Sequence, residues 1–313
     1  MRAVIVLGAG VSGLTTATVL AETGHAVQVI AASLPPSTTS NVAAAFWYPY
    51  RTPPTQRSVR RAVASYEAFA ELCTVRGSGV CMRRAFDVSR HPMPRPWWAD
   101  AVRRLAPVSP AEAPPGFEHG WSFDAPVIDT RDYLPYLMRR LHDAGGIVET
   151  RRVESFDELP GAAPVINCCG LGARMLCDDA ALHPVRGQLV HVDNPGSDHV
   201  LLDEHDGGGI AYAVPRGDHI VLGGTALEHD EDLALRSEES DAIIRRCAQL
   251  DPRLRSATRR EALVGLRPGR HDVRLEREAA GHRVIVHNYG HGGAGVTLSW
   301  GCALEVLSLL GSA

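Results

Sequence analysis

Five apolar residues without interruption, Ala3-Val4-Ile5-Val6-Leu7, run straight into Gly8-Ala9-Gly10-Val11-Ser12-Gly13. An apolar run with no polar alternation suits a parallel strand buried on both faces. Residues 14–22 behind the glycines read as a helix closed by Gly24, and residues 26–30 form a second apolar run. The first thirty residues therefore predict a β-turn-α-β unit. Each glycine has a mechanical task in such a unit: Gly8 makes the tight turn, Gly10 lets a pyrophosphate approach the backbone, and Gly13 lets the helix pack closely on the strand. The helix N-terminus adds amides and a positive dipole for the phosphates. One element is missing. Where the second strand should end in an acid for a ribose hydroxyl, the chain has Ala31, Ala32 and Ser33, so ribose recognition is expected to be weaker or to come from elsewhere. No arginine stands there for a 2′-phosphate, which disfavours NADP.

Composition removes several chemistries. All 32 basic residues are arginine, so a P-loop lysine, a Schiff-base lysine, a kinase strand lysine and the tyrosine-lysine pair of short-chain dehydrogenases are excluded. The net charge of −4 lacks the basic footprint of a nucleic-acid binder, which leaves small molecules as expected partners. Seven cysteines, without C-x-x-C spacing, read as free thiols in a reducing, cytoplasmic setting. Glycines interrupt the apolar start, so no signal peptide is expected, and no uninterrupted apolar run reaches the length of a membrane span. The end Gly311-Ser312-Ala313 is no peroxisomal address.

Residues 34–132 are proline-rich and read as irregular, with a helix near residues 58–72 and a surface loop near 92–98. A helix over 129–145 ends at Gly145-Gly146 and is followed by strands over 147–156 and 165–170. Residues 188–192, 211–214 and 219–222 predict an antiparallel sheet, residues 237–249 a helix, 284–288 a strand and 298–310 a final helix. The fold class is α/β: a Rossmann-like dinucleotide domain (1–50, 130–187 and 260–313) with an inserted α+β substrate domain (51–129 and 188–259) on a mixed or antiparallel sheet.

Four blocks give the chain a resemblance to the D-amino acid oxidase family of flavoproteins. They are Gly8 to Gly13; Thr38-Thr39-Ser40-Asn41-Val42-Ala43-Ala44-Ala45-Phe46-Trp47-Tyr48-Pro49-Tyr50; Asn167-Cys168-Cys169-Gly170 with Arg186-Gly187-Gln188; and a C-terminal pair. That pair runs from Leu266-Arg267-Pro268 to Arg274-Leu275-Glu276, then through His287-Asn288-Tyr289-Gly290-His291-Gly292-Gly293-Ala294-Gly295-Val296-Thr297.

The resemblance implies FAD as cofactor. It is expected to lie against Gly8, Gly10, Val11, Ser12, Gly13, Thr38, Thr39, Ser40, Ala43, Ala44, Ala45, Val153, Gly170, Gly292, Gly293, Gly295, Val296 and Thr297. It implies oxidative deamination of a D-amino acid by hydride transfer to flavin N5, with molecular oxygen yielding hydrogen peroxide and no catalytic acid or base from the protein. Arg274, in Arg-Leu-Glu, is the candidate carboxylate anchor, because a planar guanidinium holds a carboxylate with two parallel hydrogen bonds. Tyr212 is expected to help it, Gly293 to take the amine at its carbonyl, and Tyr48 and Tyr50 to line the pocket. The second lid tyrosine of mammalian members is replaced by Gly208 within a shortened Gly207-Gly208-Gly209 loop, which suggests a more open pocket.

Other readings stay open: a flavin amine oxidase of glycine, a cyclic imino acid or a biosynthetic intermediate, or a redox-inert flavin binder. The sarcosine-oxidase branch is disfavoured by the absence of lysine, and an NAD dehydrogenase would be colourless. His287 and His291 bracket a glycine turn without a following glutamate, so no metal is expected, and no G-x-S-x-G elbow is present. Cys168 and Cys169 read as small core residues, and self-association as a homodimer is left open.

Overall fold

β1 (Ala3–Leu7) lies inside a six-stranded sheet, paired in parallel with β2 (Ala26–Ala31) on one side and β7 (Val165–Asn167) on the other. With neighbours on both edges, α1 over one face and Val153, Phe156 and Leu159 over the other, the strand has no solvent side, which is why its sequence does not alternate. This computed structural model describes residues 2–205, 209–281 and 283–311. β6 (Ile147–Thr150) extends the sheet beyond β2, and β15 (Arg283–Tyr289) beyond β7, both in parallel. β14 (Arg274–Ala280) closes the far edge as the antiparallel partner of β15. α1 (Val11–Glu22) packs between α4 (Thr130–Asp143) and α7 (Gly295–Gly311). The Asp129 side chain caps α4 by accepting from the Arg131 amide, and Gly145 leaves that helix at φ +82°.

The second sheet has nine strands. Its members are β3 (Val80–Ser89), β4 (Arg103–Pro107), β5 (His119–Ile128), β8 (His183–Asp193), β9 (Val200–Asp203), β10 (Ala211–Arg216), β11 (His219–Gly223), β12 (Leu227–Glu228) and β13 (Arg259–Gly269). The order is β12-β8-β11-β10-β9-β3-β5-β4, with β13 also on β8, and every pairing is antiparallel except β3 with β9. α6 (Ser237–Leu250), with Glu238 and Glu239 in its first turn, covers β8, β10 and β11. The short helices α2 (Thr39–Val42) and α5 (Ala173–Leu176) lie beside the first sheet's turns.

The expected architecture holds, with differences in detail. The stretch expected to be irregular contains two paired ten-residue strands, β3 and β5. Their later halves are buried on both faces and contain Asp87, Asp124 and Pro126, so neither alternation nor an apolar run reveals them. The strand expected over 147–156 stops at Thr150. β8 and β13 belong wholly to the large sheet, so segments 183–187 and 260–269 lie there and not with the nucleotide-binding sheet. α3 (Gln56–Leu72), expected in the inserted domain, packs chiefly against α7. Residues 292–311 are long and apolar enough to match a membrane span, and most of that stretch is buried in the fold.

α3 and α7 approach closely because Gly301 has no side chain: a Cβ there would stand 2.2 Å from the Arg61 carbonyl oxygen. Beside this crossing Glu305 accepts from Arg61 Nε at 2.7 Å and from Arg57 at 2.5 Å. Burial alone would raise the Glu305 carboxyl, but the two guanidinium groups outweigh it and hold it below the ordinary glutamate value. A carboxyl depressed on folding stabilises the fold above its unfolded pKa, and that stabilisation disappears as pH falls through the folded value. Glu305→Gln is expected to cost about 2 kcal/mol at neutral pH, because it leaves the buried Arg61 guanidinium without its counter-charge, and to flatten the acid limb of Tm against pH. An unchanged acid limb would count against this tie.

Candidate active site

A cavity of about 790 Å³ runs from the turn after β1 to the face of the large sheet. At the first end Gly8 has φ +102°, and a Cβ on it would stand 2.4 Å from the Cys168 carbonyl oxygen. A Cβ on Gly13 would stand 1.9 Å from the Gly8 carbonyl oxygen, so only glycines let this helix start sit so close to the strand. Ser40 Oγ accepts from the Val11 amide at 2.9 Å, joining α2 to the start of α1. Of the residues expected to touch the cofactor, Gly8, Gly10, Val11, Ser12, Thr38, Thr39, Ser40, Ala43, Ala44, Ala45, Val153, Gly170, Gly292, Gly293, Gly295, Val296 and Thr297 are on the wall. Gly13 is behind it and acts through packing.

Two of these hydroxyls are already engaged. Thr38 donates to Asn41 Oδ1 at 2.7 Å, and Thr297 donates to the Tyr48 carbonyl at 2.9 Å while accepting from the Tyr48 amide. Near the end of β2, where the acid is missing, the Arg151 amide bonds the Ala31 carbonyl at 2.9 Å. The chain beyond it brings Arg152, Val153 and Glu154 to the wall beside Ser33. Glu154, in the segment that follows β6, thus places an acidic residue on this part of the wall. The parallel register of β2 with β6 creates this neighbourhood, which residue spacing along the chain does not show.

Arg216 is a structural residue that the sequence did not reveal. It is 7% exposed and donates to the carbonyls of Ala43 (2.9 Å), Ala44 (2.5 Å) and Ile128 (3.1 Å), with Asp129 at 3.4 Å. It therefore holds the wall segment that ends at Ala45, whose φ of +45° is unusual for a residue with a side chain. Burial, opposed by Asp129, lowers its pKa to about 10.

At the other end of the cavity stand Arg267, Tyr212 and Tyr50. Arg267 NH1 donates to the Thr225 carbonyl at 2.9 Å, and among the described residues it has no carboxylate partner. Tyr212 is buried, and its ring lies over Gly223, where a Cβ would stand 1.8 Å from the ring. Tyr50 covers Gly293 in the same way, at 2.6 Å. Phe46, Leu202 and Ile210 complete an apolar wall. Tyr48 also lines the cavity, but its hydroxyl donates to Glu204 at 2.5 Å and to Asp87 at 3.2 Å. Burial first, and then these two carboxylates, keep that hydroxyl protonated.

The expectation for Arg274 is corrected. It stands on β14 at the sheet edge, away from the cavity wall, and its guanidinium is fully engaged: Nε to Glu276 at 2.7 Å, NH1 to the Tyr289 hydroxyl at 2.7 Å and NH2 to Glu278 at 3.1 Å. Positions 274, 276 and 278 share one face of a strand, so the Arg-Leu-Glu-Arg-Glu sequence builds an ion-pair ladder and not a ligand site. The arginine of the same block that lines the cavity, with a backbone carbonyl as its hydrogen-bond partner, is Arg267. Gly208 lies outside the described residues.

The two C-terminal histidines do not converge. His287 bonds Glu278 at 3.0 Å, while His291 is buried on the cavity wall with Nε2 unpartnered, and burial lowers its pKa to about 3. Among the described residues no cluster could hold a metal ion. Cys168 is buried and Cys169 nearly so; burial raises both thiols, Cys169 to about 12.

An elongated cavity, a glycine turn with room for phosphates at one end, apolar residues along its length and an orphaned imidazole nitrogen in its wall fit a flavin dinucleotide. Comparison with known proteins agrees. The family described as FAD dependent oxidoreductase matches residues 3–309. A D-amino-acid oxidase of Rubrobacter xylanophilus is 46% identical over 312 residues, covering 99% of this chain and 96% of that protein. Human D-aspartate oxidase is 35% identical over 323 residues, covering 98% and 94%. The crystal structure of glycine oxidase from Bacillus cereus superimposes with a TM-score of 0.82 at 18% identity, covering 99% of this chain and 95% of that one. By sequence and by fold, the chain belongs to the FAD dependent oxidoreductase family, in the group that holds the D-amino-acid and D-aspartate oxidases.

Proposed function

We propose that the protein is an FAD-dependent D-amino-acid oxidase whose substrate carboxylate is held by Arg267. One observation carries this reading: a guanidinium with a single backbone partner, set between Tyr212 and Tyr50 at the end of the cavity opposite the dinucleotide turn. Free donors on a planar cation match the two oxygens of an α-carboxylate. Tyr212 and Tyr50 border the same space, and Gly293 is on the wall for the amine. Phe46, Leu202 and Ile210 give the side chain an apolar surface and exclude water.

FAD, held between the turn at residues 8–12 and the segment 292–297, would supply the redox chemistry, a two-electron oxidation at the substrate Cα with oxygen as final acceptor. The chain contributes placement. His291 stays neutral, with its pKa lowered to about 3, and Tyr48 is occupied by two carboxylates, so neither serves as a base here. Fixing one end of the substrate at Arg267 orients the C–H bond, which is the part of the barrier that positioning lowers. The free thiols suit a cytoplasmic setting, and the protein acts on small molecules, alone or as a homodimer.

The test is the absorbance spectrum of the purified protein, followed by anaerobic mixing with D-alanine, L-alanine, glycine and D-aspartate in turn. Bleaching by D-alanine at least about 100-fold faster than by L-alanine, a difference of about 2.8 kcal/mol in barrier, supports the reading. Bleaching by glycine alone selects the amine-oxidase alternative. A yellow protein that no amino acid bleaches leaves flavin binding without this activity.

A further inference from the structure

We infer that Gly187 and Gly223 are positioning residues for the substrate carboxylate: their bare backbones are the surface on which Arg267 and Tyr212 are set. This rests on the reading of Arg267 as the carboxylate anchor.

The sheet runs β10-β11-β8, with β13 on the far side of β8. Tyr212 is on β10 and Arg267 on β13, so the two side chains start from strands that flank a central pair. Each reaches inward across its neighbour. Tyr212 stands opposite Gly223 on β11, in register. A Cβ on Gly223 would stand 1.8 Å from the ring carbon bearing the hydroxyl and 2.1 Å from the hydroxyl oxygen. Arg267 lies over Gly187 on β8, where a Cβ would stand 2.1 Å from NH1, 2.4 Å from the central carbon and 2.5 Å from NH2.

Those distances are far inside van der Waals contact, so any side chain at either position evicts the group above it. β8 and β11 are hydrogen-bonded neighbours, with Gly223 opposite Leu189, so the two bare positions adjoin. Thr225 ties them together. Its hydroxyl accepts from the Gln188 amide at 2.8 Å, and its carbonyl takes Arg267 NH1. The guanidinium is thus held from one edge and supported from below, with its remaining donors free. A methyl group at position 187 would lift it from the Thr225 carbonyl. Gly293, under Tyr50, repeats the device beside Arg267, whose Cδ would stand 3.7 Å from a Cβ there.

The experiment uses FAD-loaded wild type, Gly187→Ala, Gly223→Ala, Arg267→Ala and the double variant Gly187→Ala/Arg267→Ala. Benzoate, a flat monocarboxylate, is the binding probe, read by its perturbation of the flavin spectrum, and D-alanine is the substrate. For each glycine variant the benzoate dissociation constant and the KM for D-alanine should rise at least tenfold. The corresponding kcat should change less than threefold, with FAD affinity retained. In the Arg267→Ala background Gly187→Ala should add nothing, because no guanidinium remains to be displaced.

Additive losses in the double variant, or glycine variants that bind benzoate like wild type while Arg267→Ala does not, overturn the positioning role alone. An Arg267→Ala protein with wild-type affinity for benzoate and D-alanine overturns the anchor on which it rests. If Gly187→Ala does not fold, the double variant should, since removing the guanidinium makes room for the methyl group; failure of both overturns the inference.

Discussion

Arg267→Ala is expected to lower kcat/KM for D-alanine by about three orders of magnitude. Removing one partner of a desolvated, hydrogen-bonded charge pair costs about 3–5 kcal/mol, and 1.4 kcal/mol is a factor of ten. Most of the loss should fall on KM, because the contact exists before the C–H bond breaks. Arg267→Lys should recover little, since a single ammonium cannot present two parallel donors. The discriminating control is Arg274→Ala. Arg274 is held by Glu276, Glu278 and Tyr289 away from the cavity, and its loss should leave KM within threefold of wild type. A large KM effect at Arg274 with none at Arg267 would reverse the assignment. Steady-state oxygen consumption measures both.

The second large effect is expected far from the substrate. Arg216→Met removes the donor that serves Ala43, Ala44 and Ile128 and leaves those carbonyls without it. Each unsatisfied buried group costs about 1–3 kcal/mol. With partial relaxation the expected destabilisation is about 4 kcal/mol, near the upper end for a single substitution. Ala43, Ala44 and Ala45 also form cavity wall, so the FAD dissociation constant should rise at least tenfold, read by flavin fluorescence. Arg216→Lys should fall between, its one ammonium too compact to reach all three carbonyls. Wild-type denaturation and FAD affinity in Arg216→Met would show that the segment keeps its shape unaided.

The parts of this molecule that were legible in the sequence are those in which neighbours in the chain are neighbours in space. Gly8, Gly10 and Gly13 act within one turn and one helix start, and their tasks follow from their spacing. β3 and β5 were hidden because burial on both faces, with Asp87 and Pro126 inside, matches no simple period. The position of Arg274 away from the cavity was hidden for a related reason. Arg267 and Arg274 lie in one short block of the sequence, but only strand pairing says which meets the cavity: Arg267 is on β13 against β8, Arg274 on a sheet edge. Glu154, Arg216, Gly187 and Gly223 act across pairings between distant segments. A glycine opposite a tyrosine on the next strand gives no signal until the register is known.

The two sheets share the work unequally. The turn that receives the dinucleotide follows β1 in the parallel sheet, whereas Arg267 and Tyr212 stand on β13 and β10 of the antiparallel one. On the proposed reading, oxidant and selectivity are therefore written on separate sheets, joined by a shared core and by the cavity. Substitutions at a few strand positions of the large sheet can therefore reshape one end of the cavity without touching the turn after β1 at the other.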